Sequence, residues 1–577
     1  MSKLSEEYHA TVVLKILNGY GEKGSKSPIR GAEIDGLFRS YGCKCKYDGL
    51  ADLIPYSKNH FLIDPSGAKL NLAFKDLSIF IRKNGPFDLT QFNVPYGARV
   101  ALIFPNGAEL AVGIIALLSN WCVLPINYAN TLTETTAEFR DANITAVIAH
   151  YELPYLHKLS VEDILPTTSG RILTLLSACP DPETFGLFTI TTLTHPKMDN
   201  ISQRNSYQNL SENVISHGAS KKDVDDEHAL LLYTSGTSGK KKLVPYSLSM
   251  LIIGVGCIIS AWDLNERDVC LNMMPLFHIG GIVRNVLSPL LSGGSVIPCS
   301  AFDPVLFWDL IFHSTAAVID TDNATGSADK LLCNNGPVFR PVTWYYAAPS
   351  MHHAILIEAL NRTTPHPIAN IRFIANAAGA LLPSLADSLR RTFNQAAILT
   401  GYGMTECMPI SSPPINASGS YPIGTSGKPI GPDVIICDDD SVPLPARGCG
   451  NIYIKGLPCF AGYENDPSAN EESFFTVNGV GGWFNTGDCG YLDENGYLFL
   501  TGRSKVTKNN IYYYVLLYFY IVGRLYSFRL HITLLNSITY FLGNHQSWWG
   551  NNISLRYRRS HNAASPCQGM FSLQRTS

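Results

Sequence analysis

The stretch Tyr233-Thr234-Ser235-Gly236-Thr237-Ser238-Gly239-Lys240-Lys241-Lys242 decides how the rest of the chain is read. Two glycines and four hydroxyl residues stand together, with lysines directly behind them. Gly236 and Gly239 carry no Cβ, so backbone N–H groups can approach phosphate oxygens closely, and Thr234, Ser235, Thr237 and Ser238 can donate hydroxyls. Lysine adds a compact positive charge. The apolar run Ala229-Leu230-Leu231-Leu232 in front predicts a buried strand that feeds the loop. A Ser/Gly linker rarely sits between an apolar strand and a lysine cluster, so the order predicts a polyphosphate-binding loop. It is not a Walker A loop, because the G-x-x-x-x-G-K-[ST] spacing fails.

The stretch resembles the phosphate loop of the adenylate-forming family: acyl-CoA synthetases, luciferases and the adenylation domains of nonribosomal peptide synthetases. Four further segments resemble motifs of that family, in order along the chain. Met274-Pro275-Leu276-Phe277-His278 is similar to the segment lining the acyl pocket. Gly401-Tyr402-Gly403-Met404-Thr405-Glu406 is similar to the aromatic-Gly-x-Thr-Glu motif. Trp483-Phe484-Asn485-Thr486-Gly487-Asp488 is similar to the T-G-D segment, and Thr501-Gly502-Arg503-Ser504-Lys505 to the hinge. Around Phe373–Pro383 and Met404–Pro414 the wording is closer to fungal, nonribosomal-peptide-synthetase-like enzymes than to housekeeping acetyl-CoA synthetases.

The resemblance implies ATP-dependent activation of a carboxylic acid to an acyl-adenylate, followed by transfer to the thiol of CoA or of a carrier-protein phosphopantetheine. Joining a carboxylate to a phosphate brings anions together, so the site must neutralise and align them. By resemblance, Lys242 and the loop residues hold the leaving pyrophosphate and Thr405 touches the α-phosphate. Glu406 would hold Mg²⁺, a hard cation suited to carboxylate and phosphate oxygens. Tyr402 would stack on adenine. Asp488 would accept from the ribose hydroxyls and Arg503 would donate to the ribose or phosphate edge. His278, Asn376, Ala377 and Gly379 would line the substrate pocket, and Lys505 would be the hinge. One departure stands inside the phosphate loop: the family places proline before the loop lysine, and this chain has Lys241, which adds charge and backbone freedom.

A chain of 577 residues is long enough for several core-bearing units. A net charge of −3 and the lack of a basic stripe argue against nucleic acid as a partner. The cysteines show no zinc-ligand spacing; Cys43-Lys44-Cys45 is too close for a usual half-site. Ser2–Ala10 is polar and charged, so secretion is not expected, nor is membrane insertion, and the expected location is the cytoplasm. The expected partners are a small carboxylic acid and, for the thiol step, CoA or a carrier protein.

Residues 1–45 read as a variable extension and 46–412 as an α/β core. Arg99–Phe104 predicts a buried strand, Glu109–Ser119 an apolar helix and Cys122–Ile126 the next strand. This alternation predicts a mostly parallel sheet under helices. From 413 to 505 short strands between Gly and Pro turns, such as Asn451–Lys455, predict a β-rich subdomain. The expected fold class is α/β: the large N-terminal domain of the adenylate-forming fold, with two helix-covered sheets and a small β-barrel-like part.

Residues 506–577 read as aberrant. Val506–Gly543 is rich in Tyr, Leu, Ile, Phe and Asn without useful periodicity, and its apolar run Ile511–Val522 is short of the ~20 residues that span a bilayer. Back-translating His545–Ser554 and shifting the frame by one base permits I-N-R-G-G-E-I-I-S, with Trp548-Trp549 forcing G-G. The family places very similar wording directly after the hinge. The Val506 codon begins with GT, and Leu542-Gly543 can encode a terminal TAG. Val506–Gly543 therefore reads as a translated intron and the remainder as out-of-frame exon, leaving the family's C-terminal domain unencoded. The alternative function is a catalytically dead, nucleotide-binding relic.

Overall fold

The computed structural model describes residues 50–159, 174–193, 228–234, 241–312, 340–362, 371–376, 379, 381–393, 396–415, 421–456, 458–503, 553–557 and 571–575. The runs read as buried strands become central strands of two seven-stranded sheets. Strands β1 (His60–Leu62) and β2 (Leu72–Ala73) pair antiparallel and lead into helix α1 (Phe74–Ile81). The first sheet contains β3 (Arg99–Ile103), β4 (Cys122–Pro125), β5 (Ala146–His150), β6 (Thr174–Pro180), β7 (Phe188–Thr192), β8 (His228–Tyr233) and β9 (Leu243–Ser247). Its spatial order is β7-β6-β5-β3-β4-β8-β9, parallel throughout except at the two edges. Helices α2 (Ala108–Asn120) and α3 (Leu132–Asp141) connect β3 to β4 and β4 to β5, and α4 (Leu248–Trp262) follows β9.

The second sheet adds β10 (Val269–Asn272), β11 (Ser295–Pro298), β12 (Trp344–Ala347), β13 (Phe373–Asn376) and β14 (Ala397–Thr400) to the first hairpin. Its order is β14-β13-β12-β10-β11-β1-β2, and only the β1–β2 pair is antiparallel. Helices α5 (Pro349–Asn361) and α6 (Pro383–Thr392) join its later strands.

Period-two side-chain direction fixes the layers. Val100 and Leu102 of β3 face the same apolar cluster as Trp344 and Tyr346 of β12, together with α2, α4 and the π-helical turn Gly281–Leu287. Ala101 and Ile103 point the other way, toward Phe139 of α3. On the far side of the second sheet, Tyr345, Ile374 and Ile398 meet Ile355 of α5 and Leu389 of α6. The central helices lie between two sheets, which is why α2 is apolar around its whole circumference. A Cβ on Gly113 of α2 would come within 2.8 Å of a terminal methyl of Leu102, so a larger residue there would have to displace that side chain.

From β15 (Tyr402–Met404) onward the pairing is antiparallel. Strands β15, β16 (Cys407–Ser412) and β17 (Lys428–Pro429) form one small sheet. Strands β18 (Asp433–Cys437), β19 (Gly450–Lys455), β20 (Phe474–Val477), β21 (Val480–Leu492) and β22 (Leu498–Arg503) form another. The α/β class with two helix-covered sheets and a β-rich part is the one observed.

Residue contacts divide the chain between Arg503 and Ser504. In the second unit the described residues pair as β23 (Ile553–Tyr557) with β24 (Phe571–Arg575), antiparallel. Ile-Ser-Leu-Arg-Tyr alternates apolar and polar residues throughout, and Phe-Ser-Leu-Gln-Arg does so over its first four residues, the period of a strand. The segment read as intron, and Lys505, lie outside the described residues.

Candidate active site

Strands β10, β12, β13 and β14 run parallel, with Ala347 opposite Asn376 and Asn376 opposite Thr400, so their carboxyl ends share one edge. Met274–His278 leaves that edge after β10, Pro349 after β12, the Asn376–Gly379 segment after β13 and Gly401–Glu406 after β14. Segments far apart in sequence thus meet where open α/β sheets bind their ligands.

The loop read as phosphate-binding is pinned at its stem. Thr234 N–H donates to the Lys242 carbonyl at 2.9 Å, and Lys242 N–H donates to Thr234 Oγ1 at 3.2 Å. Ser235, Gly236, Thr237, Ser238 and Gly239 lie outside the described residues. Lys241, which stands where the resemblance leads one to expect proline, has its Nζ 2.6 Å from Oε1 of Glu138 on α3. The freedom that lysine adds is therefore offset by a tether, although a half-exposed pair of this kind contributes only modestly.

Lys242 Nζ lies 4.5 Å from the ring centre of Tyr463. The Tyr463 hydroxyl donates to Glu406 Oε1 at 2.7 Å. Burial raises the pKa of the Glu406 carboxyl, while the Tyr463 bond and the Lys242 charge act to lower it. Phe460 N–H donates to the Glu406 carbonyl at 2.9 Å, and the Tyr246 hydroxyl donates to the Thr405 carbonyl. The segment 460–464 thus closes over the acidic residue. Sequence reasoning missed Tyr463, because nothing in the spacing of Gly462-Tyr463-Glu464 marks it as a partner of a motif more than fifty residues upstream.

A second cluster forms on the same hairpin. The Tyr402 hydroxyl donates to Asp488 Oδ2 at 2.6 Å, and Arg503 Nε lies 3.1 Å from Oδ1. Asp488 faces Arg503 across the β21–β22 register. Tyr402, Thr405 and Glu406 belong to one short hairpin, so the Lys242–Tyr463–Glu406 and Tyr402–Asp488–Arg503 clusters are held by the same backbone.

At the pocket end the expected residues are less tightly gathered. His278 is exposed at its edge, with its ring centre 4.7 Å from that of Phe277, and crowding by protein lowers its pKa. Pro275 and Phe277, with Phe104, Met273, Phe302 and Met351, line a cavity of about 450 Å³ that His278 does not line. Asn376 is buried and donates from Nδ2 to the Gly379 carbonyl at 2.7 Å, which shapes the turn after β13. Ala377 lies outside the described residues. No cluster of His, Cys, Asp and Glu among the described residues would by itself hold a metal ion, and Glu406 is a single carboxylate. Among the described residues no helix is long and apolar enough to cross a membrane.

Residues 89–320 and 340–464 match the model of the AMP-binding enzyme family. The protein named Probable CoA ligase CCL9 of Humulus lupulus is 31% identical over 429 residues, which cover 72% of this chain and 69% of that protein. The oxalate–CoA ligase of Arabidopsis thaliana is 28% identical over 448 residues, 76% of each chain. Among solved structures, apo MatB from Rhodopseudomonas palustris superposes with a TM-score of 0.59 at 21% identity over 79% of each chain, a likeness of fold.

Proposed function

We propose that this chain, which belongs to the AMP-binding enzyme family, joins a carboxylic acid to the α-phosphate of ATP and passes the acyl group to the thiol of CoA. A carboxylate oxygen attacks the α-phosphorus, the bond to the bridging oxygen of the β-phosphate breaks, and pyrophosphate leaves. The thiolate then attacks the acyl carbonyl, and AMP leaves. The observation that carries this reading is the β15–β16 hairpin, which joins a lysine–tyrosine–carboxylate cluster built on buried Glu406 to the Tyr402–Asp488–Arg503 cluster at the carboxyl edge of the sheet.

In this reading Lys242 neutralises the leaving pyrophosphate, aided by Thr234, Ser235, Gly236, Thr237, Ser238 and Gly239. Thr405 donates toward the α-phosphate. Asp488 exchanges its Tyr402 bond for the ribose hydroxyls, and the freed Tyr402 ring supports adenine. His278, Asn376, Ala377 and Gly379 border the acid, and Lys505 is the hinge. Glu406 fits a magnesium ion: it offers a hard oxygen donor, and its side-chain partner among the described residues is the Tyr463 hydroxyl. The ion would supply charge neutralisation to the phosphates. A carrier-protein phosphopantetheine is the alternative acceptor, and the fungal synthetase-like wording favours keeping it in the test.

The proposed domain plan keeps 1–45 as an extension, 46–412 as core, 413–505 as β-rich subdomain and 506–577 as translated intron plus shifted exon. Transcript sequencing across codon 505 tests that plan, and a message without the insert supports it. ATP–pyrophosphate exchange with a panel of acids, then thioester formation with CoA or a carrier, tests the activity. Exchange that never depends on an added acid would sink the proposed function.

A further inference from the structure

Arg284 sits in the π-helical turn that follows the Met274–His278 segment, and it is 1% exposed. Its Nη1 donates to the Tyr346 hydroxyl at 2.5 Å. Its Nε and Nη2 are buried, and among the described residues they have no hydrogen-bond partner and no carboxylate pairs with the guanidinium. The faces of Tyr346 and Trp262 lie 4.8 and 5.7 Å from the guanidinium carbon, a partial compensation for the lost water. A buried cation with open donors is costly unless an anion completes it.

Two glycines let the backbone pack closely against this group. A Cβ on Gly280 would lie 3.1 Å from the Tyr346 hydroxyl, and a Cβ on Gly401 would lie 3.2 Å from Nη2 of Arg284. Gly280 is helical at φ −62, and neither glycine has a positive φ, so clearance rather than backbone conformation favours glycine at both positions. Gly401 directly precedes Tyr402 and the Thr405–Glu406 pair, which places the guanidinium beside the segment assigned to the reacting phosphate.

The free atoms also have a specific geometry. In a guanidinium, Nη1 is cis to Cδ, and Nε–H and Nη2–H share the opposite edge, pointing in parallel. That edge matches the two oxygens of a carboxylate. We propose that Arg284 is a substrate-binding residue for the second carboxylate of a dicarboxylic acid, whose other carboxylate is the one adenylated. This rests on the acid-activating reading above and narrows its substrate class.

The test is calorimetric binding to the 577-residue chain saturated with AMP, using matched acids: succinate against butyrate, adipate against hexanoate, phthalate against benzoate. The expected result is that at least one diacid binds on the order of tenfold or more tighter than its monoacid partner. Arg284→Met should abolish that preference while AMP affinity stays the same. Arg284→Lys, which keeps the charge and loses the paired edge, should recover only part of it. If AMP binds and no diacid is preferred by the wild type, the assignment is overturned; the same holds if Arg284→Met retains the preference. Should Arg284→Met fail to fold, the wild-type comparison and the lysine variant still decide. Failure of the wild type to bind AMP at all overturns the activation reading itself, and this assignment with it.

Discussion

Lys242 and Glu406 were both legible as residues of a motif, yet the contact that relates them was not. Tyr463 lies between them, with its ring under the ammonium and its hydroxyl on the carboxylate. Replacing Lys242 by alanine is expected to weaken ATP binding by about 1–3 kcal/mol, as for a lost charged hydrogen-bond partner; calorimetry giving an unchanged affinity would remove Lys242 from the phosphate site. Tyr463→Phe makes a different prediction. The burial-raised Glu406 carboxyl loses a bond that lowers its pKa, so it should hold its proton to still higher pH. A metal needs the ionised carboxylate, so magnesium-dependent ATP binding should fall away as pH drops through the Glu406 pKa. In the variant that acid limb should move upward. An unmoved limb, measured by titration across pH, would leave Glu406 without the proposed metal role. The same scale shows why sequence reading stopped short: Tyr463 and Glu406 are joined only after the chain has returned from the β-rich part.

Among the elements, α3 and α5 carry the clearest local physics. Thr131 caps α3 through the Glu134 N–H while the Glu134 carboxylate bonds back to the Thr131 N–H, a complete capping box. Thr131→Ala should cost about 1 kcal/mol in a denaturant titration. The same helix presents Glu138 to Lys241, so an unfastened α3 should also loosen the stem of the 234–242 loop. On α5, burial pushes His352 down to about 4 from the ordinary 6.5. A depressed histidine pKa stabilises the fold fully above 6.5, where both folded and unfolded chains hold it neutral. That contribution is lost as pH falls toward 4, because the unfolded chain takes the proton first. His352→Phe should therefore flatten the fall in stability between these pH values, seen as a thermal midpoint less sensitive to acidification. A slope identical to wild type would show that His352 protonates freely in place. Neither feature depends on motif recognition: the box is visible as Thr-x-x-Glu, whereas burial of His352 follows from where α5 lands on the sheet.

At the scale of the whole molecule, two sheets enclose a central helical layer and the antiparallel strands follow the last parallel one. Replacing Val506 onward with the frame-restored continuation and its downstream domain should raise ATP–pyrophosphate exchange by orders of magnitude, because a set of positioned groups is added at once. Comparable exchange by the unmodified chain would refute the intron reading. A cheaper check is the core itself. Trp344 is fully buried and packs against Trp262 and Phe373, with ring centres 5.6 and 5.2 Å away. Trp344→Ala should lower stability by about 3–5 kcal/mol, and a change well under 1 kcal/mol in denaturant titration would contradict the packing described.

The sequence by itself determined the strand at Leu230, the helix at Ile114, the α/β class and the order of the family motifs, since each rests on local composition or spacing. It could not say which face of a strand meets which helix. Runs such as Val100–Ile103 are apolar on both sides because both sheet faces are covered, so the pattern carries no direction. Tertiary structure alone aligned the carboxyl ends of β10, β12, β13 and β14, tied Lys241 to Glu138, and set Tyr463 against Glu406. It alone left the inner edge of Arg284 unpaired between Tyr346 and Gly401. These are contacts between residues far apart along the chain, and their energies appear only once the backbone has been folded to bring them within a few ångströms.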